Sequence, residues 1–169
     1  MIPPLEEGVD HVRGPADEPV IVEYGDYECP FSRQAYRAIQ RVEAEHTRGV
    51  RFAFRHFPLT EIHPHALPAS RAAEAAELQG RFWEMHDLLF HRQKALEDDD
   101  LRRYATEASL DVERFDRDRA TEAVFDRVER DFRSGIESGE VQGTLTLFID
   151  GVVHLGGYDA ETLLDVLAS

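Results

Sequence analysis

The chain has 169 residues, enough for one domain that buries its own core without a disulfide or metal staple. With 42% hydrophobic and 31% charged residues it is globular in composition, and 34 acidic against 19 basic residues give a net charge of −15. That field repels phosphate backbones and excludes a general nucleic-acid binder; no apolar run nears the ~18 residues of a bilayer span, and a single cysteine excludes an internal disulfide.

Residues 1–19 are rich in Pro, Gly and acids and lack periodicity, which predicts an ordered arm or lead-in loop. They carry neither a basic segment nor an apolar one of the signal-peptide kind, and so predict a cytoplasmic location. VIVEY (20–24) is short, β-branched and apolar, as a buried central strand should be. Gly25 and Asp26 end it, and from Pro30 to about His46 the apolar residues Phe31, Ala35, Ile39 and Val42 recur at helical spacing. Gly49 stops that helix. VRFAFRHF (50–57) then alternates as a strand, with Val50, Phe52 and Phe54 on one face. Strand, helix and strand in about 40 residues make a right-handed βαβ unit with a parallel pair.

From Pro64 to about Ser138 the pattern is helical throughout. One helix ends at Gly80, a second places Phe82, Met85 and Leu89 on one face, and Asp98–Asp100 and Asp111 are N-caps for two more. Val124, Val128 and Phe132 form a stripe that ends near Gly139. The period then returns to two in TLTLFID (144–150) and VVHL (152–155), with Asp150-Gly151 as a hairpin turn between them. Asp159 caps a closing helix that turns Leu163, Leu164 and Leu167 inward. The prediction is an α/β fold whose four strands lie in the order 2-1-3-4. The chain forms a single domain, 1–169, with a core of 12–63 and 139–169. The helical insertion, 64–138, packs on one side of the sheet.

Cys29 falls at the carboxyl end of the first strand, immediately before a helix, which is where open α/β sheets bind ligands. The helix dipole and its free N–H groups favour a thiolate there, whereas the charges of Asp26 and Glu28 oppose one. The alternative is a small buried apolar residue, a common fate of free cysteine.

YGDYECPFS (24–32) resembles the active-site segment of the DsbA-like branch of the thioredoxin superfamily, whose pattern is Cys-Pro-x-Cys. RFAFRHFPLTEIHPHA (51–66), FWEMHDLLF (82–90), LDVERF (110–115) and GTLTLFIDG (143–151) resemble the same branch, so the likeness runs from about His11 to Leu167. It implies a thioredoxin fold with a helical insertion and an activity in thiol–disulfide exchange. Two positions depart from it. The second cysteine is Ser32, so Cys29 alone can neither store nor resolve an internal disulfide. The family's cis-proline in Gly-Thr-Pro-Thr is replaced in Gly143-Thr144-Leu145-Thr146, which leaves the isomer of the Thr144–Leu145 bond open.

The resemblance gives Glu23 the place of a buried acid that shuttles protons for the second thiol; on the residues alone it reads equally well as a carboxylate reaching out at the strand edge. Cys29, Ser32 and Glu23 are thus the candidate catalytic residues, and Pro30, Phe31, Tyr27, Thr144 and Leu145 the candidate substrate contacts. Tyr24, Tyr27 and Phe31 read either as an apolar rim or as core. His63 and His65 invite a metal, but two histidines beside the surface acids Glu61 and Asp87 do not close a site, and no metal is expected. His56 and His86 read as partly buried structural residues, and Phe82 and Trp83 as core anchors.

Three functions follow. The first is a monothiol oxidoreductase acting on protein or small-molecule disulfides, with glutathione or another small thiol as co-substrate and no bound cofactor. The second is a thioredoxin-fold binding module without turnover. The third is a glutathione-dependent transferase or isomerase.

Overall fold

The computed structural model describes residues 1–169. Its centre is a five-stranded sheet in the order β1-β3-β2-β4-β5. The strands are β1 (His11–Arg13), β2 (Val20–Gly25), β3 (Arg51–His56), β4 (Thr146–Ile149) and β5 (Val152–His154). β2 and β3 are parallel and joined through helix α1 (Pro30–Glu45), while β4 and β5 run antiparallel to their neighbours. The four strands and the order expected from the sequence are all present. The addition is β1, an edge strand that pairs antiparallel with β3 through His11 and Phe54, within the stretch expected to be a loop. Three residues are too few to show a period of two, so only the pairing reveals the strand.

The turn between β4 and β5 is Asp150-Gly151, both at positive φ (48° and 82°), as a two-residue hairpin of matching twist requires. The last helix, α7 (Ala160–Ala168), starts where Asp159 accepts a hydrogen bond from Thr162 N–H. Five helices lie between the two halves of the sheet: α2 (Ala66–Glu77), α3 (Phe82–His91), α4 (Asp98–Glu107), α5 (Val112–Arg119) and α6 (Glu122–Ser138). Glu97 and Asp100 close a capping box on α4, and the side chains of Asp111 and Thr121 cap α5 and α6.

The insertion does not stay on one side. The larger core joins Ile21, Phe52 and Phe54 of the sheet to α1, α2, α3, α4 and α7. The second core, on the opposite face, gathers Val22, Tyr24, Ala53, Phe57 and Phe148 under Ile2 of the amino-terminal arm, with Phe132 of α6 packed against it. A two-layer arrangement would have left that face wet; α6 and the arm cover it instead.

The arm is held by Arg55, only 1% exposed. Its guanidinium donates to both carboxylate oxygens of Asp10, to the Tyr24 hydroxyl and to the carbonyls of Pro3 and Pro4. Burial pushes the Asp10 carboxyl up, but the hydrogen bonds from Arg55 and from Glu6 N–H and the charges of Arg55 and Arg130 outweigh it and leave the group below its ordinary range. α6 sits close to the sheet because Gly135 has no side chain: a Cβ there would lie 2.8 Å from Phe57 Cε2 and 3.1 Å from Tyr24 Cδ1. Gly135→Ala is therefore expected to destabilise the chain by about 1–2 kcal/mol, because overpacking of roughly 1–3 kcal/mol exceeds the ~1 kcal/mol of helix propensity gained. Urea unfolding of both proteins measures it, and a variant as stable as the parent would refute the close contact.

Candidate active site

β2 ends at Gly25, and the four residues that follow turn the chain into α1. The turn is pinned from several directions. Cys29 N–H donates to Asp26 O at 3.0 Å, and the Gln93 side-chain amide donates to the carbonyls of both Tyr27 and Cys29 at 2.8 Å. Asp26 is fully buried and accepts from the N–H groups of Glu28 and Leu59 and from the His63 ring. Cys29 is the N-cap of α1 and Pro30 its first residue, where the missing N–H costs nothing. The position favours negative charge because the first turn of a helix offers unpaired N–H groups and the positive end of its dipole.

Cys29 is 3% exposed, and its Sγ faces the Thr144 carbonyl at 3.7 Å. The Thr144–Leu145 bond, left open by the sequence, is cis. Thr144 and Leu145 are half-buried, and they help line a groove of about 490 Å³ with Leu155 and Tyr158. Thus the loop before β4 is brought to Cys29, as expected. Ser32 stands at the third position of the same helical turn, buried, and its hydroxyl oxygen accepts from Asp26 N–H at 3.2 Å.

Of the expected rim, only part faces outward. Phe31 is 55% exposed and Pro30 is also exposed, and beyond them Ile62 presents another apolar side chain to solvent. Tyr27 must be reassigned. It is wholly buried, packed against Phe54 and Phe90, and its hydroxyl is 2.8 Å from His86 Nδ1, so it supports the turn from below and offers nothing to a substrate. Burial and the charges of Glu74 and Glu23 hold the Tyr27 phenol well above its ordinary value, and burial holds His86 well below its own. The phenol is therefore hydrogen-bonded to a neutral imidazole. Tyr24 is likewise core.

Glu23 lies inside the sheet, 1% exposed, between Phe54 on one side and Leu147 on the other. The strand-edge reading is thereby excluded. Its side chain is on the face of Ile21, and its Oε1 is buried without a partner. Burial pushes the carboxyl up to about 8, against a lowering by the charge of Arg13.

His63 and His65 each serve a carboxylate: His63 Nδ1 is 2.8 Å from Asp26, and His65 bridges Glu28 and Glu97 at 2.6 and 2.9 Å. Burial lowers the His65 pKa, but those two acids outweigh it and raise the ring above its ordinary value. His56 and His86 are fully buried rather than partly so. The sequence reading missed Gln93, whose amide type carries no motif, and the cluster of His11, His56 and Glu74, whose ligand atoms lie within 4.8 Å of one another. The available signal for that cluster was Glu74, an acid in an otherwise Ala-rich, core-facing helix.

Residues 20–168 match the family described as the DSBA-like thioredoxin domain. The chain is 45% identical to the Na(+)/H(+) antiporter NhaA 1 of Mycolicibacterium vanbaalenii over 99% of its own length and 27% of the antiporter's. It thus spans about a quarter of the length of the curated relatives it matches. No helix of the chain is long and apolar enough to cross a membrane. Among solved structures, a thioredoxin-like oxidoreductase from Silicibacter pomeroyi superposes with a TM-score of 0.82 at 24% identity, over 96% of this chain and 92% of that one. Wolbachia pipientis alpha-DsbA1 does so with a TM-score of 0.80 at 20% identity, over 98% and 91%. The expected cytoplasmic location is not upheld: the fold is shared with Proteus mirabilis ScsC, Wolbachia pipientis alpha-DsbA1 and Bacillus subtilis BdbD.

Proposed function

The chain belongs to the DSBA-like thioredoxin domain family, and on that premise we propose that it is a one-thiol exchanger of disulfides with Cys29 as its nucleophile. The observation that carries this reading is the placement of the lone thiol at the N-cap of a 16-residue helix, against the Thr144 carbonyl. The Cys29 thiolate attacks one sulfur of a disulfide R–S–S–R′. A Cys29–S–S–R bond forms, and R′S⁻ leaves and takes a proton from water. A second, external thiol then attacks the R sulfur of that mixed disulfide and returns Cys29 as thiolate. The protein undergoes no net oxidation in the cycle, so no bound redox cofactor is required. Ser32 accepts one hydrogen bond from Asp26 N–H, which leaves its own proton for donation to a thiolate at Cys29. Pro30, Phe31, Thr144 and Leu145 form the contact surface for the substrate, and glutathione is a suitable external thiol.

Treatment of the folded chain with glutathione disulfide tests the reading, since Cys29 is the only thiol. One glutathione per chain is expected in the mass spectrum, removed again by reduced glutathione. A chain that forms no adduct until it is unfolded would overturn it. The 3% exposure of Cys29 favours, as a second reading, a binding module without turnover, and this is the outcome that such a result would establish.

Phe31 supplies a separate expectation. Its exposed ring offers apolar contact worth about 1–2 kcal/mol to a partly covered substrate. Phe31→Ser should slow exchange with apolar peptide disulfides roughly 10-fold, at about 1.4 kcal/mol per decade, and leave glutathione disulfide little changed. Equal slowing of both substrates would deny the ring this role.

A further inference from the structure

Three elements meet behind the sheet in a cluster that the thiol chemistry does not use. His11 comes from the edge strand β1, His56 from the end of β3 and Glu74 from α2, and all three are buried. A single carboxylate oxygen, Glu74 Oε2, faces His11 Nε2 at 2.5 Å and His56 Nε2 at 2.7 Å. The other oxygen, Oε1, faces Arg127 Nε at 3.7 Å. His11 lies flat against Phe82, ring centroids 3.6 Å apart, so its orientation is fixed. We propose that His11, His56 and Glu74 form a binding site for a divalent transition-metal ion of the zinc type.

The tautomers argue for it. If both imidazoles donate Nε2–H to Glu74 and are neutral, each Nδ1 carries a lone pair. That of His11 would face Glu77 Oε2 at 3.6 Å, acceptor against anion. If a metal takes both Nε2 lone pairs, the proton of His11 moves to Nδ1 and points at Glu77. A second carboxylate on the distal ring nitrogen is the usual support of a metal-bound histidine. Arg127 meanwhile steadies the oxygen of Glu74 that the metal does not use.

The donor set is two imidazole nitrogens and a carboxylate oxygen with no sulfur, one of the three-ligand sets in which zinc retains an open fourth position. Bonds of about 2.0–2.1 Å require ligand atoms to stand roughly 3.3 Å apart. The spacings of His11 Nε2 and His56 Nε2 from Glu74 Oε2, 2.5 and 2.7 Å, therefore open by about 0.8 and 0.6 Å. A cavity of about 390 Å³, lined by His11, Glu74, Glu77 and Arg127, gives an entry path and room for water as the fourth ligand. With neutral imidazoles the two glutamates and Arg127 sum to one negative charge, which a dication reverses without leaving a large excess.

The test uses the full chain without a polyhistidine tag, carrying Cys29→Ala so that no thiol competes. Zn²⁺ alone is titrated by calorimetry, and Co²⁺ alone is followed by visible absorption. One Zn²⁺ per chain and the intense d–d bands of a four- or five-coordinate cobalt ion are expected. His11→Gln should weaken binding on the order of 100-fold, and Glu77→Gln, away from the metal itself, by about 10–100-fold. Absence of stoichiometric zinc, or cobalt that keeps the pale spectrum of its hydrated ion, would overturn the proposal, as would zinc affinity unchanged by His11→Gln. Should His11→Gln fail to fold, the cobalt spectrum of the parent decides alone. The cluster would, on any of the overturning results, be a hydrogen-bonded clasp of β1, β3 and α2.

Discussion

Ser32→Cys is expected to turn the one-thiol chain into a dithiol that closes its own disulfide. Cys29 is the N-cap of α1 and Ser32 the third helical residue, the same relation in which a capping side chain reaches the backbone of the third residue. A sulfur at position 32 therefore lies within reach of the mixed disulfide on Cys29. Its attack would be intramolecular, join the Cys29 sulfur to the introduced one and release the substrate as a thiol. Well-oriented intramolecular reactions outrun their bimolecular counterparts by large factors, so the mixed disulfide should clear roughly 100-fold faster than with millimolar external thiol. The variant costs something. Ser32 is fully buried and its oxygen accepts from Asp26 N–H, and sulfur is larger and a weaker acceptor. Stopped mixed-disulfide assays on Ser32→Cys and on the parent measure the change. A variant that accumulates the adduct as long as the parent does would show that the first turn of α1 is not built for two sulfurs.

The parts of the fold that were legible in the sequence are those with long or doubly marked patterns. Val20–Tyr24 is a short, mostly apolar run ended by Gly25, Val50–Phe57 follows Gly49 and alternates, and Asp150-Gly151 marks a hairpin by turn chemistry alone. α6 shows its stripe of Val124, Val128 and Phe132 over little more than two turns and ends on Gly139 at φ 72°. What was not legible depends on long-range pairing. β1 is a strand only because His11 meets Phe54, and Arg55 reads as the outward residue of an alternating strand until Asp10 is placed over it. The helical lobe covers both faces of the sheet because α6 crosses to the far side, a choice that amphipathicity cannot record: a stripe states that a helix has an inner face, not which core receives it. At the site, the place of Cys29 followed from strand-end and helix-start signals. The inward turn of Tyr27 did not, since an aromatic beside a thiol fits a rim and a core equally.

Glu23 links the site to stability, and Glu23→Gln is the substitution with the largest expected effect on folding. In the unfolded chain the carboxyl titrates near 4.5, and in the folded chain burial lifts it to about 8. Below pH 4.5 both states hold the proton and the residue costs nothing through ionisation. Between the two values the unfolded chain releases its proton while the folded chain keeps it, so stability falls as pH rises. The loss levels off near pH 8, where the folded form ionises too. At ~1.4 kcal/mol per pKa unit, and allowing about a unit of latitude in the shift, the full loss is about 3–6 kcal/mol. Glutamine has the same shape and no charge to release. It does bring an amide whose protons need acceptors, at a cost of about 1–3 kcal/mol where none is found, because Oε1 of Glu23 already lacks a partner. The variant is thus expected to be somewhat less stable than the parent at pH 4.5 and more stable at pH 8, with a flat profile where the parent declines. Every other titrating group is common to the two proteins, so the difference between their urea-unfolding free energies isolates residue 23. Parallel profiles from pH 4.5 to 8 would mean that Glu23 is ionised in the folded sheet. A buried acid that keeps its proton through neutrality beneath the first turn of α1 would instead be a proton source that outlasted the second thiol it resembles serving.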